Sequence, residues 1–210
     1  MSDRYLIPAL NSTNFYRVKD TIKRSKFICT MAHTADICAA KAFIARIQEE
    51  FPDANHNCWA FQCGPPADTA HAGMSDDGEP RGTAGKPMLG MLLHSPVGEL
   101  TCVVTRYFGG IKLGTGGLVR AYSGMVKLAL QELPVHDKIF FVKVQVILDY
   151  AYVTLLQRLL PDFEAEIINT TFTADAEFTL LLPKEQCPEL KKALTHLTHD
   201  ELLFSLLTDK

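Results

Sequence analysis

Val103-Val104-Thr105-Arg106-Tyr107-Phe108-Gly109-Gly110-Ile111-Lys112-Leu113-Gly114-Thr115-Gly116-Gly117-Leu118-Val119-Arg120 decides how this chain is read. An apolar, β-branched run meets five glycines and then turns into a helical repeat. Leu100 to Tyr107 predicts a strand and Gly109 to Gly117 a tight turn. Leu118 to Leu133 predicts a helix with Leu118, Tyr122, Met125, Ala129 and Leu133 on one face. Backbone N–H groups and the helix dipole at such a start favour an anion. Between residues 99 and 127, Arg106, Lys112, Arg120 and Lys127 face Glu99 alone.

Working outward, Phe15 to Lys19 and Lys26 to Met31 read as two strands around a turn. Arg17 to Lys26 holds five basic residues and one acid, Asp20. This basic hairpin is either a contact surface for a nucleic-acid backbone or an edge kept from pairing by charge. A helix follows with Ile37, Ala40, Ile44, Ile47 and Phe51 on one face, stopped by Pro52. His56 to Cys63 reads as a strand with Trp59 and Phe61 on a common face. Gly64 to Lys86 is a long loop, a length that usually carries function. Met88 to Leu93 is a short helix opened by Pro87. Beyond the break at Pro134, Val142 to Leu148 alternates as a half-buried strand. Tyr152 to Leu160 is a helix ended by Pro161. Ile167 to Thr171 and Glu177 to Leu182 pair, Pro188 to Leu197 is a helix, and Leu202 to Leu207 is a last strand. That order, βαββαβ, is the ferredoxin-like one.

The two parts differ in charge. Residues 1–134 hold 14 basic and 12 acidic side chains, and residues 135–210 hold 7 and 12. We place the domain boundary there, giving an α+β protein with domains at 1–134 and 135–210. With 47% hydrophobic and 21% charged residues the chain is no disordered segment. It shows neither a signal sequence nor a run long enough to span a membrane, so a cytoplasmic location is the default and no membrane partner is expected. The six cysteines show no CxxC pair and no zinc spacing, and read as core thiols.

The second constellation is Ser75-Asp76-Asp77-Gly78-Glu79-Pro80-Arg81-Gly82-Thr83-Ala84-Gly85-Lys86-Pro87. Asp76, Asp77 and Glu79 either hold a hard cation or fix a turn. Arg81 and Lys86 flank another glycine turn before a helix. Neither stretch completes a named phosphate motif. The dinucleotide fingerprint fails at Val119, and a phosphate-binding P-loop fails at Pro80 and Pro87. No nucleophile elbow is complete at Ser75 or Ser123. His56 with Cys58 or Cys63 is a weak candidate for a Cys/His pair. No catalytic residue and no cofactor is assigned. The anion- or nucleic-acid-binding set is Arg81, Lys86, Arg106, Gly109, Gly110, Lys112, Gly114, Gly116, Gly117 and Arg120.

Both constellations resemble the signatures of the IMPACT family, and His56 and Trp59 fall on its expected strand. The resemblance runs from residue 1 to about residue 205. It implies an N-terminal domain like the second domain of a small-subunit ribosomal protein, and a C-terminal ferredoxin-like domain similar to the last domain of elongation factor G. Eukaryotic relatives restrain a translational-control kinase with a further N-terminal domain, for which there is no room before Phe15. What carries over is an association with translation, with RNA, the ribosome or a translation-linked protein as partner; catalysis has no support in the family pattern. The first expectation is therefore a translation regulator contacting RNA through a basic, glycine-rich surface. The alternatives are an enzyme acting on a nucleotide or phosphorylated small molecule, and a protein-interaction module.

Overall fold

The computed structural model describes residues 3–10, 14–199 and 201–207. The chain forms two compact units. One is Tyr5–Lys138, and the other runs on from Ile139 and includes Arg4.

In the first unit, β2 (Tyr16–Ile22), β3 (Ser25–His33), β4 (His56–Gln62), β5 (Ala72–Ser75) and β6 (Leu100–Tyr107) form a sheet in the order β2-β3-β6-β4-β5. Every pairing is antiparallel. The period of two sends alternate strand residues into two cores. Phe27, Cys29, Met31, Cys58, Ala60, Cys102 and Val104 pack under α2 (Gly85–Leu93) and α3 (Thr115–Glu132). Ala32, Phe61, Cys63 and Val103 pack under α1 (Ile37–Glu50) from the other face. Trp59 and Phe61 stack with ring centroids 5.7 Å apart. Asp36 caps α1 by accepting the Ala39 N–H at 2.8 Å. Phe43 supplies the buried face that the periodicity assigned partly to Ile37, which is exposed. Cys29, Cys58 and Cys102 are free and buried, and burial pushes the Cys102 thiol up to about 12.

Three strands escaped the sequence reading. The long loop from Gly64 to Lys86 contains β5, which pairs with β4 at the sheet edge. β1 (Arg4–Pro8) pairs with β7 (Val135–Ile139) in a two-stranded ribbon. Because β7 is tied to β1, the changeover between units falls at Lys138/Ile139 rather than at Pro134. Glu99 anchors this ribbon to the sheet. Its buried carboxylate accepts from Tyr5 Oη at 2.7 Å, from His33 Nε2 at 2.8 Å, and from Lys138 Nζ.

In the second unit, β8 (Phe141–Leu148), α4 (Val153–Leu159), β9 (Glu166–Phe172), β10 (Ala176–Pro183), α5 (Cys187–Leu197) and β11 (Leu202–Leu207) follow the βαββαβ order. The sheet order β11-β8-β10-β9, antiparallel throughout, is ferredoxin-like. Val144, Val146, Leu148, Phe178, Leu180 and Leu182 meet Leu156 of α4 and Leu190 and Leu194 of α5. α4 ends at Leu159, just ahead of Pro161, which sits in a following 3₁₀ turn (Leu160–Phe163), where its missing N–H is not needed. No described helix is long and apolar enough to cross a membrane.

Burial opposes the charge on Glu99, but the bonds from Lys138, His33 and Tyr5 outweigh it and hold the carboxyl below its ordinary 4.5. A carboxyl lowered in the folded state contributes stability above its unfolded pKa, and that stability is lost as pH falls through the folded value. Urea unfolding of the wild type should therefore weaken more steeply below about pH 4.5 than that of Glu99→Gln. At pH 7 the variant should be less stable by about 1–3 kcal/mol, the cost of leaving buried partners imperfectly satisfied.

Candidate functional site

The two glycine-rich constellations meet at one end of the first sheet. Asp76 sits nine residues before the first residue of α2, yet it caps that helix. Its carboxylate accepts N–H groups from Gly82 at 2.7 Å, Ala84 at 3.0 Å and Gly85 at 2.8 Å. Burial opposes its ionisation, but these three donors and the Arg81 charge prevail and hold the carboxyl below its ordinary value. Asp77 closes the same loop onto β4. Its carboxylate accepts from Asn57 N at 2.6 Å, and its carbonyl oxygen accepts from His56 Nδ1 at 2.8 Å. A carbonyl can only accept, so His56 carries a proton on Nδ1.

Glu79 turns inward. It is buried and pairs with Arg106 Nη1 at 2.5 Å, while Tyr122 Oη donates to the same oxygen at 2.8 Å. His56 Nε2 lies 3.9 Å from it. A second Arg106 nitrogen reaches Ser25 Oγ at 3.4 Å. The guanidinium also lies 5.5 Å from the Phe27 ring centre and 5.7 Å from that of Phe108, within cation–π range. Arg106 is therefore no solvent-facing cation, contrary to the sequence expectation: it is spent on a buried ion pair joining the two motifs. The cation-site alternative for Asp76, Asp77 and Glu79 gives way to the same geometry, because each carboxylate already serves backbone N–H groups or Arg106. Among the described residues, no group of three or more His, Cys, Asp and Glu is arranged to hold a metal. Nor does Cys58 form a nucleophilic pair. Its thiol donates to the Asp76 carbonyl, and burial pushes it up to about 12, leaving negligible thiolate.

The remaining predicted residues are more open. Lys112 and Arg120 are exposed, as are Arg81 and Lys86. The start of α2 beside Arg81 and Lys86 offers no free cradle, since Asp76 fills it. The start of α3 differs: its N-cap is Gly114 at φ 74°, with no side chain capping the first turn. Gly116 and Gly117 lie within α3, not in the turn before it. Gly110 is also left-handed, at φ 84°. Gly109 has another role. A Cβ there would stand 1.9 Å from the Arg24 carbonyl oxygen, so only glycine lets this turn touch the β2–β3 hairpin. Ser25 Oγ accepts the Gly109 N–H at 3.2 Å and ties the two together.

That contact brings in cations outside the predicted set. Ile22 pairs with Ser25, so Lys23 and Arg24 form a two-residue hairpin loop, both left-handed at φ 46° and 66°. Lys23, Arg24 and Lys26 are exposed. A depression of about 190 Å³ is lined by Ile22, Lys23, Leu113, Gly117, Arg120 and Ala121, so hairpin and helix start share one hollow. The five basic residues of the hairpin were visible in the sequence. Their meeting with Arg120 rests on the Gly109 contact, which no local pattern announces.

A two-unit α+β chain with both motifs locked together defines a class. The Impact N-terminal domain matches residues 23–130, and a domain of unknown function, DUF1949, matches residues 146–201. The chain belongs to the IMPACT family. It is 42% identical over 200 residues to the IMPACT family member YigZ of Escherichia coli, covering 95% of this chain and 96% of that one. It is 33% identical to the family member YvyE of Bacillus subtilis, covering 85% and 81%. A crystal structure described as that of a hypothetical protein is 40% identical, covers 100% of both chains and superposes with a TM-score of 0.65.

Removing one partner of a buried ion pair costs about 3–5 kcal/mol, because the other charge is stranded. Glu79→Ala should lose about that much in urea unfolding. Glu79→Met with Arg106→Met should lose less than the two single changes summed.

Proposed function

We propose that this protein is a translation-associated regulatory factor that contacts RNA or the ribosome through phosphate groups, using the basic, glycine-rich end of its first unit. The observation that carries the reading is the hollow where Lys23 of the hairpin and Arg120 of α3 flank the uncapped helix start. Helix N–H groups, the helix dipole and two cations there all favour the same ligand, a phosphate. Lys112 of the glycine turn and Arg24 of the hairpin loop are exposed and add positive charge at the same end of the unit. Arg81 and Lys86 add charge but no free backbone donors.

The hairpin loop gives further support. Two-residue loops with both residues left-handed favour Asn-Gly or Gly-Gly. Here Lys and Arg occupy them at a conformational cost, and strained positions of this kind cluster at functional sites. Family membership supports the link to translation. The acidic balance of residues 135–210 makes that part the poorer partner for a polyanion.

Neutralising one phosphate steepens the salt dependence of binding by about 0.7–0.9 in log–log slope. The test is the affinity of the full-length protein for a fluorescent RNA across a salt series. Lys112→Ala and Arg120→Ala should each weaken binding to unrelated sequences alike and lower the slope by up to about one unit. An unchanged slope removes that residue from the surface. No RNA binding at low salt, together with tight binding of a single nucleotide, would replace this reading by that of a nucleotide-acting enzyme.

A further inference from the structure

Phe108 stands out among these cations because it is a large apolar residue left 48% exposed. Its neighbours hold it in place. Asn55 Oδ1 accepts the Phe108 N–H at 2.7 Å, and Gly109, next in sequence, is clamped against Arg24 and Ser25. Tyr107, on its other side, is tied through its hydroxyl to Asp53 at 2.8 Å and pairs across the sheet with Lys26. The ring lies 5.7 Å from the Arg106 guanidinium, which Glu79 holds in turn. The result is an aromatic ring on a fixed backbone, braced from within, with exposed Arg24 and Lys112 in the adjoining hairpin loop and glycine turn.

The ring packs near the Arg106 guanidinium, yet nearly half of it is left to water, which penalises apolar surface. A ring set in a basic surface is what an unpaired nucleobase stacks upon, while cations follow the adjoining phosphates. We infer that Phe108 is a stacking platform for an unpaired base and that the polyanion recognised here is single-stranded RNA. This rests on the phosphate-contacting reading of the same surface and narrows it. A duplex buries its base faces and offers the ring nothing, whereas a single strand offers a base for stacking and phosphates for Lys112 and Arg24. Stacking is indifferent to base identity, so sequence preference should be weak.

The experiment uses the full-length protein, a single-stranded RNA of mixed sequence carrying one 2-aminopurine, and the same RNA annealed to its complement. Wild type should prefer the single strand and quench the 2-aminopurine on binding. Phe108→Ala should weaken single-strand binding about tenfold, abolish the quenching and leave duplex binding and the salt slope unchanged. Phe108→Tyr should restore both affinity and quenching. Lys112→Ala should lower the salt slope while keeping the single-strand preference. If Phe108→Ala binds the single strand as wild type does, or loses single strand and duplex equally, the platform is overturned and the phosphate surface stands. If wild type binds neither RNA at low salt, both readings fall.

Discussion

The buried pair of Glu79 and Arg106 is the contact on which the end of the first unit is built. Removing two charges from water is costly, and their attraction offsets this only when the remaining hydrogen-bonding groups are met. Tyr122 meets Glu79 and Ser25 meets one Arg106 nitrogen, while Arg106 Nε is buried without a partner and the rings of Phe27 and Phe108 line the guanidinium. Glu79 is thereby pulled inward, and the loop bearing it is drawn across the sheet end. Asp76 then reaches the start of α2 and Asp77 reaches β4. Such a pair adds little net stability compared with an apolar core, but it tolerates few alternative arrangements, so it fixes where the loop goes.

Locking Arg106 inside divides labour between the two motifs. Residues 76–86 act as a brace whose carboxylates are consumed internally. The outward chemistry passes to the glycine turn and the β2–β3 hairpin, which touch only because Gly109 has no side chain. One helix start is closed by Asp76, and the other is left open behind Gly114. That asymmetry separates a structural glycine turn from one available to a ligand, although both read alike as Gly-rich segments before helices.

Regular periods carried most of the architecture. The alternation of β8 and the helical stripe of α3 are local patterns, and both stand in the structure on the residues that displayed them. β1 and β7 showed no such signal, since β7 is largely exposed and β1 finds its partner more than a hundred residues away. The site was legible as composition but not as geometry. Arg106 looked like one more cation in a basic stretch; its partner lies 27 residues upstream, beyond any short-range rule. Asp76 caps a helix from outside the usual capping position, so turn chemistry alone could not separate it from a metal ligand. Phe108 was readable as a residue but not as a surface, because exposure is a property of the folded turn.

The ribbon of β1 and β7 bears on how the first unit can be isolated. A fragment ending at Pro134, where charge and proline suggest a boundary, would keep β1 but lose Val135–Ile139. One edge of β1 would then present open N–H and C=O groups, a template for pairing with another chain. Lys138 would be gone as well, leaving Glu99 one donor short. Such a fragment should be prone to self-association at concentrations where one extended past Ile139 stays dispersed, and the cause would lie in the choice of end point rather than in the domain itself.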